Sequence, residues 1–175
     1  MTKVLAALAV PVLALAGFGL AAAASGKGSY TLTANLKARF AVPKPKGVPA
    51  SAAGLFTGKA VESSNDKAKL TWRLTFSHLS GRAIAAHIHT GKPGKAGGVL
   101  VPLCAPCRSG QRGSTTITHA QLQTIGSGGT YVNVHTSKNG LGEIRGQLKS
   151  SGTPVESTTT TTTTETSTGP GPVYP

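Results

Sequence analysis

Five histidines occur in the 175-residue chain, and three of them fall in two short motifs. One motif is Ala85-Ala86-His87-Ile88-His89-Thr90-Gly91; the other is Tyr131-Val132-Asn133-Val134-His135-Thr136. Imidazole nitrogen is a good ligand for borderline ions such as copper and zinc. Two histidines at i and i+2 of a strand project from one face and can reach one ion. A third from a nearby strand completes three ligands and leaves a coordination position open. The expected ligand set is His87, His89 and His135, for copper or zinc.

Residue parity says which face carries these groups. Ile84, Ala86 and Ile88 form one apolar face, so His87 and His89 point the other way. Val132 and Val134 do the same for Asn133 and His135, and Ile144 and Leu148 for Glu143 and Arg145. One hairpin register sets His135 opposite Glu143 and Asn133 opposite Arg145. Asn133, Glu143 and Arg145 then either support the ligands from behind or join the histidines in a structural hydrogen-bond network beneath the loops. His78 has core parity beside Leu79 and reads as structural; His119 reads as a surface residue. No Ser/His/Asp arrangement and no pair of carboxylates flanking a cleft can be placed, so no catalytic residue is assigned and the chain is not expected to be an enzyme.

The elements that must position these residues are short strands. Tyr30, Leu32, Ala34, Leu36, Ala38 and Phe40 alternate with polar residues, and so do Ala68, Leu70, Trp72, Leu74 and Phe76. Further strands are expected at 54–61, 82–89, 98–103 and 115–118, with a hairpin of 131–135 and 143–148. Thr118 can cap a short helix through Leu122. About seven to nine short strands with little helix indicate an all-β fold, an immunoglobulin-like or Greek-key β-sandwich or barrel.

The two ends differ from this middle. Lys3 precedes an apolar run from Val4 to Ala24 with a small-residue cleavage site, so residues 1–24 read as a signal peptide. Residues 25–150 form the domain. Residues 151–175, with an unbroken threonine run from Thr158 to Thr164, have the composition of a disordered tail. Export makes the expected location secreted or cell-surface, with no transmembrane span after cleavage. It also changes the meaning of Cys104-Ala105-Pro106-Cys107: exported cysteines oxidise, and the loop-like residues that follow do not open a helix, so the pair reads as a structural disulfide. The net charge is +13, and only Glu62, Asp66 and Glu143 are acidic within the domain. That balance favours an anionic cell-wall or matrix polymer, or an extracellular protein, as partner. The basic residues are scattered without an aromatic platform, so no specific nucleic acid is expected.

Four segments in order carry a resemblance: Leu79-Ser80-Gly81; Ala86 to Gly91, with Gly94 after it; Tyr131 to Thr136; and Gly142-Glu143-Ile144-Arg145-Gly146-Gln147-Leu148. Together they resemble the CHRD domain, which is repeated in chordin and found singly in exported bacterial proteins. The resemblance runs from about Tyr30 to Lys149. It implies an immunoglobulin-like or related β-sandwich and an extracellular binding role, without a reaction. Chordin's growth-factor binding is not carried over, because the cysteine-rich modules that supply much of it are missing here. His-x-His on a strand also looks like the copper site of Cu/Zn superoxide dismutase. The domain's only aspartate, Asp66, and its five histidines are too few for a bridged pair of metals. The expected function is a non-enzymatic extracellular binding module; the alternative is a mononuclear copper or zinc protein using the three histidines, with a redox role in the copper case.

Overall fold

The computed structural model describes residues 28–153 except Asn65. The expected signal peptide (1–24) and all but the first three residues of the expected tail (151–175) lie outside the described residues. The strands are β1 (Ser29–Lys37), β2 (Ala53–Ser64), β3 (Lys67–Ser77), β4 (Ala83–Thr90), β5 (Val99–Cys104), β6 (Gln111–Thr118), β7 (Thr130–Thr136), β8 (Ile144–Gln147) and β9 (Lys149–Thr153), with one helix, α1 (His119–Gly126). All pairings are antiparallel, in the order β5-β4-β7-β8-β1-β2-β3-β6, with β9 on β1. The all-β reading holds: nine strands form one sheet that curls nearly into a barrel.

Alternation builds the core. Leu32, Ala34 and Leu36 of β1, Phe56 and Ala60 of β2, and Leu70, Trp72 and Leu74 of β3 are buried, as are Ile88, Val132, Val134 and Ile144 from the far side. Trp72 pairs with Gly113 across the β3–β6 ladder. A Cβ at position 113 would collide with the indole, so glycine is what lets the largest core side chain lie against β6. The sheet ends at β5 and β6, and the chain between them bridges the opening. Cys104 and Cys107 form a disulfide there (Cα–Cα 5.3 Å). Cys107 N–H bonds Ala83 O, and Gly110 N–H bonds Leu74 O. The segment thus ties β4 to β3 across the opening between the two end strands.

Helix α1 begins where the Thr118 side chain accepts from Gln121 N and the Gln121 side chain accepts from Thr118 N, a capping box. It runs to Gly126, past the expected Leu122, burying Leu122 and Ile125.

Four expectations are corrected. The β1 alternation does not reach Phe40: Ala38–Phe40 form a 3-10 turn, and Phe40 is 46 % exposed. A register shift between Ala83 and Ala85 turns Ile84 outward (39 % exposed), and Ala83 takes the core position. His78 is exposed in a left-handed conformation (φ 55°) where the chain leaves β3, and its Nδ1 meets Ser77 Oγ. The last strand, β9, extends to Thr153, three residues past the expected domain end, and pairs with Ser29–Thr33 of β1.

Candidate metal centre

β4 and β7 are neighbours, with His87 opposite Asn133 and Ala85 opposite His135. Their non-core face is covered by two loops, one following β4 and one joining β7 to β8. Both faces of β7 are therefore buried: Val132 and Val134 in the core, Tyr131, Asn133 and His135 beneath the loops. The rings of His87, His89 and His135 meet in this second, polar interior. Their centroids lie 5.5 Å (87–89), 4.9 Å (87–135) and 5.7 Å (89–135) apart. One nitrogen from each lies within 4.8 Å of the others.

Backbone carbonyls set two of the three tautomers. His89 Nδ1 lies 3.1 Å from Gly97 O, and His135 Nδ1 lies 3.0 Å from Gly140 O. A carbonyl only accepts, so both Nδ1 atoms carry the proton and both Nε2 atoms present lone pairs. His87 Nδ1 stands 3.2 Å from His135 Nε2 and donates to that lone pair. His89 Nε2 is buried with no partner among the described residues. A buried acceptor left unpaired beside two other imidazoles is one that could take a metal ion.

The electrostatics agree. Burial lowers the pKa of His87 to about 4, helped by His135 and His89. Burial also lowers His89, against the Gly97 bond that favours its charged form and with help from His135 and Arg145. His135 is lowered by burial in excess of its bond to Gly140. Three imidazoles neutral at pH 7 are ready to coordinate without first losing a proton to solvent. A three-histidine cluster of this kind can hold a metal ion.

The other expected residues surround the cluster without entering it. The hairpin register is as expected, with Asn133 opposite Arg145. The side chains, however, do not pair across it. Glu143 meets neither His135 nor Arg145. It is fully buried and accepts from Ser80 N (2.5 Å), Ser80 Oγ (2.6 Å), Thr136 Oγ1 (2.6 Å) and Asn139 Nδ2 (3.1 Å). It fastens the β3–β4 turn to the β7–β8 loop, the loop whose Gly140 carbonyl orients His135. Burial alone would raise its pKa; the bonds from Ser80, Thr136 and Asn139 outweigh that and lower it. Asn133 Nδ2 donates to Leu141 O in the same loop. Gly142 (φ +121°) lies so close to Asn133 that a Cβ would strike its amide. Arg145 lies over Tyr131, with Cζ 3.4 Å from the ring centroid.

Tyr131 is the residue that the histidine motifs left unremarked. It stacks on His89 (5.0 Å, 6° between planes), and its hydroxyl accepts from Gly97 N. It shares the parity of Asn133 and His135, so strand alternation alone places it on the ligand face. The loop carbonyls of Gly97 and Gly140 leave no such signal. His119 sits away from the cluster, paired with Glu62 at 2.9 Å.

The family model for the CHRD domain matches residues 32–148, more than half of the chain. The chain belongs to the CHRD-domain family. No curated protein and no solved structure matches it. The match runs from within β1 to just past the end of β8, so the CHRD domain contains the whole histidine cluster, its two covering loops and Glu143. No helix among the described residues is long and apolar enough to cross a membrane.

Proposed function

We propose that this CHRD domain is an exported, non-enzymatic binding module that holds one copper or zinc ion on His87, His89 and His135. The observation that carries the reading is the buried His89 Nε2, unpartnered among the described residues and clustered with two neutral imidazoles that each bring a nitrogen within 4.8 Å. The donor set is all nitrogen, which suits copper(II) and zinc rather than calcium or magnesium. Three protein ligands leave a position for water or an outside ligand. Bound there, either ion would supply Lewis acidity, and copper also one-electron chemistry; the chain's own part is to fix two tautomers, exclude bulk water and hold the rings with Tyr131 and the two loops. Calorimetric titration of the metal-free protein with copper(II) and zinc tests this. One equivalent should bind, and the His87→Ala/His89→Ala variant should bind far more weakly. Equal affinity in the variant would refute the assignment.

A second reading concerns the opposite side of the barrel. Lys59, Lys69, Arg73 and Arg112 project from β2, β3 and β6 into solvent, and Arg73 lies directly opposite Arg112 in the ladder. Like charges so placed repel, and the one ion pair among the described residues, His119–Glu62, does not relieve them. A shallow groove of about 380 Å³ runs between Thr57, Lys59, Arg73 and Arg112. This face suits an anionic cell-wall or matrix polymer. Retention on immobilised polyphosphate should fall steeply with added salt and fall again in Arg73→Ala/Arg112→Ala. Retention insensitive to both would overturn it.

A further inference from the structure

Arg145 is a buried guanidinium with no counter-ion among the described residues. It is 2 % exposed. Its Nη2 donates to Lys92 O at 2.9 Å, and its plane is taken up by Tyr131. Its Nη1 has no partner among the described residues. The nearest carboxylate in sequence, Glu143, is committed to Ser80, Thr136 and Asn139. Burying a cation with no opposing charge is expensive, and cation–π contact with Tyr131 replaces only part of what water provided. The unfilled need is for an in-plane acceptor carrying negative charge.

Arg145 also forms part of the wall of a cavity of about 270 Å³ that shares no residue with the histidine cluster. The remaining wall is mostly apolar: Phe40 and Val42 from the turn after β1, and Pro93 from the loop after β4. Phe40 is one of the few large apolar side chains left in solvent. Arg39, exposed, lies with its Cζ 4.6 Å from the Phe40 ring centroid and adds a second cation to the wall. The volume lies just below the usual range for drug-sized ligands, about 300–1,000 Å³, which suits a smaller molecule and excludes a polymer. We propose that this cavity binds a small monocarboxylate with an apolar body, its carboxylate on Arg145 and its body against Phe40, Val42 and Pro93. A guanidinium edge matches a planar carboxylate, and the walls disfavour a fully hydrated inorganic anion. The site is independent of the metal reading.

The test uses isotopically labelled protein with benzoate as probe, in the presence of a chelator so that no metal can hold the carboxylate. Amide resonances of Phe40, Gly94 and Gln147 should shift saturably. Benzamide, the uncharged near-isostere, should bind roughly tenfold or more weakly, as expected when a charge-assisted bond is lost. Phe40→Ala and Arg39→Ala, both at exposed positions, should each weaken benzoate several-fold, and Arg145→Met should abolish binding. If Arg145→Met does not fold, the two exposed variants decide. The proposal is overturned by benzoate shifts that do not saturate, by benzamide binding as well as benzoate, by inorganic phosphate binding as tightly as benzoate, or by unchanged affinity in Phe40→Ala.

Discussion

Glu143 offers the sharpest test of how the site is held. Its carboxylate is fully buried and ties Ser80, 63 residues away in sequence, to Asn139 of its own loop. Hydrogen bonds to a charged group contribute about 1.5–3 kcal/mol each, and they do not add when one hub serves them all. Glu143→Ala leaves four donors, one of them a backbone N–H, facing a void; the expected loss is about 3–5 kcal/mol. Glu143→Gln keeps the volume and one acceptor oxygen. The hydroxyls of Ser80 and Thr136 can turn to accept from the new amide, but the Asn139 amide must turn over as well, so the expected loss is roughly half as large. Urea unfolding of the metal-free proteins measures both. Losses equal within about 0.5 kcal/mol, or an alanine loss below about 1 kcal/mol, would refute the hub. Because the loop it anchors carries Gly140, the alanine variant should also bind metal more weakly at a pH where it remains folded.

Three further outcomes are expected. Metal-free stability should fall as pH drops from about 6.5 toward about 4: the folded pKa of His87 is depressed to about 4, so in that window the unfolded chain takes up protons that the folded chain refuses. His87→Gln should flatten the slope, and a stability independent of pH there would contradict the buried neutral cluster. The Cys104→Ser/Cys107→Ser variant should lose about 2 kcal/mol, the scale for so short a loop, with metal affinity unchanged; urea midpoints and calorimetry read the two effects separately. Tyr131→Phe should lose about 1 kcal/mol, for the bond from Gly97 N, whereas Tyr131→Ala should lose several times more and weaken metal binding, since both His89 and Arg145 rest on that ring.

Strand parity carried most of the site. Val132 and Val134 fill the core, and that alone places Asn133 and His135 on the opposite face; the β7–β8 register followed from two polar pairs. The same logic read β3 from Lys67 to Phe76. It failed where main-chain bonding overrides side-chain pattern. β9, a Ser- and Gly-containing segment with no apolar alternation, forms because the edge of β1 offers it hydrogen bonds. Ile84 obeys alternation in sequence but lies at a bulge. The partners of Glu143 were hidden for another reason: Ser80 is 63 residues away, and the loops that bring it there carry no periodicity. Burial of the cluster was equally illegible, because the carbonyls of Gly97 and Gly140 belong to those loops.

The most direct measurement is anomalous diffraction from crystals of the protein loaded with copper or zinc. One peak should lie among the three rings, about 2.0–2.1 Å from a nitrogen of each of His87, His89 and His135. The carbonyls of Gly97 and Gly140 should still be accepting from His89 and His135. A peak elsewhere, or an empty cluster in crystals that hold the metal at other positions, would contradict the three-histidine centre.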